Sequence, residues 1–368
     1  DGLQLAYKVT ANSLYGQVGA KTSAIYLKEL AASTTATGRE QLYIARDYCQ
    51  NPENFPMVLE NGETINLENK VVYGDTDSVF VKYDCRYPDG SKMIGKDALK
   101  KSIELSLKSQ DGIKLLLKKP QDLEYEKTFL PFVLITKKRY TGNKYEFDPN
   151  KCKLTSMGLV TKRRDNAPIV KIVFGGIIDI IMEKCKLLPS IHYLQKCMQQ
   201  LTNGKFGLEK LTISKTLNPF YKNPDQIAHK VLAERIGERD PGNKPANYDR
   251  IPYVYIKTEG KVELQGDKIE NPQYITDNKL EPDYEHYITN QIMKPVSQIF
   301  ALAVEELPGF PHKVGYYEEL EKNGKKSEKV WDMKQKMAQD LLFGSVLRQL
   351  ENKRNNRQEI TKWFTAKK

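Results

Sequence analysis

Two acidic residues stand two apart in the stretch VVYGDTDSVFVKY, residues 71–83: Asp75 and Asp77, flanked by apolar runs. Residues i and i+2 of a strand point to one side, about 6.5–7 Å apart. Carboxylates so placed repel one another unless a cation sits nearby, and hard oxygen donors of this kind suit Mg2+. Phosphoryl transfer can use such a site, because two divalent ions about 3.5–4 Å apart neutralise phosphate charge and lower the pKa of an attacking hydroxyl. Gly, Asp, Thr and Ser are also ordinary turn residues, so a plain solvated tip is the alternative reading.

Two further groups have chemistry to offer. In YKVTANSLYG, residues 7–16, helical spacing puts Lys8, Asn12 and Tyr15 on one side, with Leu3, Tyr7 and Leu14 on the other. A cation, an amide and a phenol on one face suit a phosphate-bearing ligand; a solvated face is the alternative. In ITKKRYTG, residues 135–142, Lys137, Lys138 and Arg139 lead into Tyr140. On a strand Lys138 and Tyr140 share a face, giving a cation for phosphate or groove acceptors and a ring for sugar or base; a solvated lysine cluster is the alternative.

The elements that must carry these residues follow from pattern. A helix is expected over 3–15, ended by Gly16 and Gly19, and a second from caps at Ser33-Thr34-Thr35 to about Cys49. Residues 51–69 read as loop with short strands, and Val71, Val72, Val79, Phe80 and Val81 predict strands on both sides of the acidic tip. Pro88-Asp89-Gly90 is a turn. Residues 97–118 look helical with an interruption at Asp111-Gly112, 123–142 read as two strands, and 150–161 as another. Beyond Arg164, Asn166 and Pro168 start a helix. Its Val170, Val173, Phe174, Ile177 and Ile181 follow core-facing spacing, and helical patterns continue to about 238. A loop at 238–250, a strand at 252–258, helices at 283–304 and 331–354, and a polar, flexible Lys322–Lys329 complete the expectation.

Composition narrows the class. With 368 residues the chain is long enough for two or three domains. Its 58 Lys+Arg against 47 Asp+Glu give a formal charge of +11, which favours a polyanionic partner. No run of about 18 uninterrupted apolar residues exists, so no membrane span is expected. The cysteines at 49, 85, 152, 185 and 197 form no CxxC pair, and the four histidines have no metal-ligand spacing.

Taken together, the motifs resemble family B DNA polymerases. Lys8 to Gly16 matches the fingers pattern K-x-x-x-N-S-x-Y-G, Tyr73 to Ser78 the palm motif YGDTDS, and Lys137 to Tyr140 the KKRY motif, in the family's order. GLVTKRRD, 158–165, is similar to the palm-to-thumb junction, and the stretch at 283–300 resembles polymerases of large nucleocytoplasmic DNA viruses. The resemblance implies an α+β fold: a fingers helix at 1–20, a palm at 21–162 with an antiparallel sheet backed by helices, and a mainly helical thumb at 163–368. It also implies DNA-directed DNA synthesis with two Mg2+ ions, primer–template DNA and dNTP. Asp77 would be a direct metal ligand, and Asp75 an essential neighbour in or beside the metal site. Lys8 and Asn12 would contact the triphosphate, while Tyr15 and Gly16 pack beneath the nascent base pair. Lys138 and Tyr140 would hold the primer–template, Lys137 and Arg139 would lend charge, and Arg163 and Arg164 would meet duplex phosphates or form salt bridges at the junction.

The family's other metal-binding aspartate lies in a D-x-x-S-L-Y-P-S segment, which these 368 residues do not contain. The first fingers helix and the proofreading exonuclease are also missing. Together with a start at Asp1-Gly2-Leu3-Gln4, without Met and inside a helical pattern, this reads as a fragment that binds primed duplex but extends it poorly. Ile360, Trp363 and Phe364 have the spacing of a sliding-clamp-binding peptide, with Arg357 where Gln is usual; an ordinary amphipathic end is the alternative. The rival for the whole chain is a non-catalytic basic DNA-binding module. An RNA-templated polymerase is disfavoured because its acids stand adjacent. A viral source would place the protein at a cytoplasmic replication site or in the host nucleus.

Overall fold

Helices and small antiparallel sheets occupy separate stretches of the chain, an α+β arrangement, in a computed structural model that describes residues 2–162, 166–258, 260 and 264–355. They divide into two compact units, residues 1–156 and 157–368.

In the first unit, helix α1 (Gly2–Gly19) runs past Gly16, so that glycine does not end it. Val18 is its one buried residue among those described, while Leu3, Leu5, Tyr7, Val9 and Leu14 are exposed. The helix is anchored at its last turn, where Leu27 N–H donates to Val18 O at 2.9 Å and Gly19 approaches Ala31. Helix α2 (Lys28–Gln50) begins earlier than its expected caps. Thr34 and Thr35 lie inside it and turn their hydroxyls back onto the carbonyls of Leu30 and of Ala31 and Ala32, which a helix interior permits.

Strands β1 (Pro56–Val58) and β2 (Thr64–Asn66) form a small hairpin, followed by the hairpin of β3 (Lys70–Asp75) and β4 (Ser78–Lys82). Helix α3 (Gly95–Leu116) is unbroken through Asp111-Gly112. Gly112 is there for contact: a Cβ would lie 1.8 Å from the Tyr48 hydroxyl, so α2 and α3 close on each other at this point. Ala45, Cys49 and Ile113 form the core between them, and Val71, Val79 and Val81 of the hairpin pack onto it. The remaining sheet orders β5 (Thr128–Thr136), β6 (Arg139–Tyr145) and β7 (Cys152–Met157) in sequence.

The second unit is organised around α4 (Pro168–Lys184), whose Ile169, Val170, Val173, Phe174, Ile177, Ile178, Ile181 and Met182 are buried as its periodicity requires. It packs against α5 (Leu187–Thr202), and α6 (Leu208–Leu211) follows. The stretch expected to be helical to residue 238 contains a strand, β8 (Ile213–Thr216), before α7 (Ala228–Arg239). β8 pairs with β9 (Arg250–Tyr255), which pairs with β10 (Ile269–Glu270). After α8 (Pro272–Asp277), one helical run passes through α9 (Tyr284–His286), a π-helical segment (Tyr287–Ile292) and α10 (Met293–Phe300). The buried Tyr287 hydroxyl bridges Leu211 O and Tyr255 N–H, pinning that run to the small sheet. The polar segment at 322–329 is half helical: α11 (Tyr316–Lys322) ends at its first residue, residues 323–326 form the connection, and α12 (Ser327–Arg354) begins within it.

Candidate active site

The acidic hairpin owes its geometry to one irregularity. Lys70 faces Lys82 and Val71 faces Val81, but the next pair is Tyr73 with Phe80, so Val72 is an extra residue in β3. Without that bulge, alternation would turn Tyr73 and Asp75 toward the α2–α3 core with Val71. With it, Val71, Val79 and Val81 stay on the core while Tyr73 and Asp75 share the opposite face with Phe80. Gly74 lets the hairpin lie close on α2, since a Cβ there would be 3.1 Å from Leu42.

The tip departs from the strand geometry expected of it. β3 ends at Asp75, which pairs with Ser78, and the two-residue connection is Thr76-Asp77. Asp77 N–H donates to Asp75 O at 2.6 Å across Thr76, whose φ is 55°: a γ-turn with a β-branched residue in the left-handed region. Asp77 therefore lies beyond the pleat, and the i, i+2 argument does not describe the pair. The two carboxylates also differ in environment. Asp75 is partly buried and accepts from Lys138 Nζ at 2.9 Å, Thr76 Oγ1 at 3.0 Å and Tyr73 Oη at 3.1 Å. The Lys138 ammonium, with help from the two hydroxyls, holds its carboxyl below the usual range against a smaller opposing effect of burial. The Asp77 side chain is exposed and has no hydrogen-bond or ion-pair partner among the described residues.

Lys138 comes from the other hairpin, and here the expectation is corrected. Lys137 and Lys138 are the turn between β5 and β6, not strand residues, because Thr136 pairs directly with Arg139. Lys138 sits at φ 60°, and its backbone N–H donates to the Tyr73 hydroxyl at 2.8 Å. Its Nζ returns to Asp75, whose proximity raises the ammonium's pKa. Five non-glycine residues among those described have positive φ, and two of them, Thr76 and Lys138, meet here; strained backbone of this kind persists where surroundings over-determine it.

The two hairpins meet through aromatic rings. Phe80 lies 5.3 Å from both Tyr73 and Tyr140, and 5.6 and 6.2 Å from Phe132 and Phe129. Phe129 and Phe132, three apart, would face opposite ways in a regular strand. The register slip between them contains Pro131 and brings both onto one side. Gly142 is required opposite, since a Cβ would come within 2.7 Å of Pro131 O and 2.9 Å of the Phe129 ring. In the sequence Tyr73 is marked only by the YGDTDS motif and Phe80 only as a β-former, and nothing marks Phe129 or Phe132 as partners of the site. The available signal was a tyrosine two positions before Asp75.

Lys8, Asn12, Tyr15 and Gly16 all lie on the exposed surface of α1. Gly16 also lines a shallow concavity of about 660 Å3 with Ser13, Gln17 and the loop through Ile25. No described hydrogen bond or ion pair joins Lys8 or Asn12 to the acidic tip. What they share with it is α2, which carries α1 at Ala31 and the hairpin at Leu42, eleven residues or roughly 16 Å along its axis. Arg163, Arg164, Ile360, Trp363 and Phe364 lie outside the described residues.

Among the described residues no three His, Cys, Asp or Glu side chains converge as a metal cage. Mg2+, however, is held elsewhere by one or two carboxylates together with water and substrate phosphates. An exposed Asp77 with no partner among the described residues fits that mode, whereas Asp75 is already bonded on both oxygens.

A family model for DNA polymerase family B matches residues 1–303. The chain is 50% identical over 376 residues to the DNA polymerase of Pyramimonas orientalis virus, covering 100% of this chain and 30% of that protein. It is 43% identical over 284 residues to the DNA polymerase of Acanthamoeba polyphaga mimivirus, covering 75% and 16%. To the DNA polymerase delta catalytic subunit of Candida albicans it is 33% identical over 300 residues, covering 82% and 27%. The chain thus spans less than a third of the length of these relatives. With the matched region holding both hairpin tips and all of α1's candidate residues, the chain belongs to DNA polymerase family B.

Proposed function

We propose that this chain carries part of the nucleotidyl-transfer centre of a DNA-directed DNA polymerase. The reaction is attack of a primer 3′-hydroxyl on the α-phosphate of a dNTP. A P–O bond forms to the primer, the bond to the β-phosphate breaks, the hydroxyl proton is lost and pyrophosphate leaves. The carrying observation is the convergence of two hairpin tips, YGDTDS and KKRY, which leaves Asp77 open while Lys138 neutralises Asp75.

In this reading Asp77 offers the free carboxylate to metal, and Asp75 supports the tip. Magnesium, when bound, screens phosphate charge and lowers the pKa of the attacking hydroxyl. Lys8 and Asn12 orient the triphosphate from α1, Lys8 adding fixed positive charge where negative charge develops. Tyr15 and Gly16 form the floor under the nascent pair. Lys137 and Arg139 supply charge to the duplex, and Lys138 and Tyr140 position it. Arg163 and Arg164 are assigned to the duplex backbone from their motif alone.

The same reading assigns residues 1–20 to fingers, 21–162 to palm and 163–368 to thumb; the division into units at 156/157 falls near the second of these boundaries. The second metal-binding aspartate belongs to the D-x-x-S-L-Y-P-S segment that these residues do not contain. The isolated chain is therefore expected to bind primed duplex and to extend it poorly.

Asp77→Ala, placed in a complete polymerase bearing this region, should abolish extension and leave duplex affinity largely intact; retained extension would refute the assignment. Metal-dependent dNTP binding by the chain separates this reading from a non-catalytic DNA-binding module, which shows none.

A further inference from the structure

We propose that Tyr73 is a positioning residue that joins the duplex-gripping tip to the acidic tip, so that Lys137–Tyr140 and Asp77 are held as one body. The proposal rests on the polymerase reading for its consequence, but its geometry stands independently. One phenol oxygen makes both bonds: it accepts the Lys138 N–H at 2.8 Å and donates to Asp75 Oδ2 at 3.1 Å. Lys138 Nζ closes the ring on Asp75 Oδ1 at 2.9 Å. Each Asp75 oxygen thus holds a different part of the opposing turn, one through Tyr73 to its backbone and one directly to its side chain.

The contact is unlike an ordinary surface ion pair. A lysine side chain has four rotatable bonds and can follow its carboxylate through many turn positions. A backbone N–H cannot, so the Tyr73 bond is the one that fixes where the turn lies. It acts on a residue at φ 60°, a conformation that needs outside support. The ring itself is held at 5.3 Å from Phe80 and 6.3 Å from Tyr140. Tyr73 reaches this place only because Val72 is bulged out of register. Asp77 is two residues beyond Asp75 in the same tight turn, so whatever fixes Asp75 against Lys138 also fixes the spacing from Asp77 to the KKRY strand.

The test is Tyr73→Phe, which keeps the ring and removes one oxygen. Hydrogen exchange of the Lys138 amide should accelerate at least tenfold in the free chain. Affinity for a primed duplex should fall roughly three- to tenfold, because the variant loses both the bond that fixes the turn's backbone and the bond to Asp75. Tyr125→Phe is the control, since its phenol also has two contacts in the first unit, to Thr128 Oγ1 and Glu146 O, away from the tips. It should leave both readouts at wild-type values. Unchanged Lys138 exchange in Tyr73→Phe overturns the proposal, as does equal weakening of duplex binding by both variants. A wild-type chain that does not bind primed duplex instead defeats the polymerase reading, and the exchange measurement, which needs no DNA, still decides the link.

Discussion

Lys137 and Lys138 occupy one two-residue turn, yet the structure gives their charges different employment. Lys137 is exposed and has no ion-pair partner among the described residues, whereas Lys138 Nζ lies 2.9 Å from Asp75. Each lysine that neutralises a duplex phosphate contributes about 0.9 to the slope of log Kobs against log salt. Lys137→Ala should therefore flatten the slope by about 0.9. Between 50 and 200 mM salt, the variant should then lose roughly 3.5-fold less affinity than the wild type does, since a fourfold rise in salt raised to the power of about 0.9 is that factor. Lys138→Ala should flatten it by well under half as much, because the charge removed is already committed to a carboxylate. Asp75→Ala releases Lys138 and should steepen the slope by up to about 0.9. The assay is fluorescence anisotropy with a labelled primed duplex over that salt range. Equal slope changes for the two lysine variants, or none for Lys137→Ala, would show that the Asp75–Lys138 pair does not control how this turn meets DNA.

Two glycines should respond to alanine with opposite signs. Gly142→Ala drives a methyl within 2.7 Å of a backbone oxygen and should cost about 1–3 kcal/mol in denaturant unfolding, while loosening the aromatic contact between the hairpins. Gly38→Ala, in the middle of α2 with open space around it, should stabilise by about 0.5–1 kcal/mol; a reversal of either sign refutes the packing account. If Ile360, Trp363 and Phe364 form a clamp-binding peptide, Phe364→Ala abolishes retention of the chain by a cognate sliding clamp; unchanged retention leaves the reading of an ordinary amphipathic end.

Much of the architecture was legible because it is periodic. The buried face of α4 follows 3.6-residue spacing, and the acidic hairpin follows from β-formers around turn residues. Errors arose where one residue type has two physical uses. Gly112 reads as a helix interruption but is a contact point for Tyr48, and Thr34 and Thr35 read as caps but bond back within α2. The candidate chemistry on α1 was visible as a face, whereas its relation to the acidic tip is carried by α2, which no motif marks.

By itself the sequence determined which residue types are available and in what order: the acidic tip, the basic turn, the helix face and the family to which they belong. Tertiary structure alone decided how they are used. Register slips at Val72 and beside Pro131 choose which face each aromatic and acidic side chain takes, and a slip of one residue reverses that face without changing the pattern read along the chain. The bond from Tyr73 to Lys138 spans 65 positions, and nothing local encodes it. It exists because two hairpins pack ring against ring, so that Asp75 is neutralised and Asp77, two residues on, is left open.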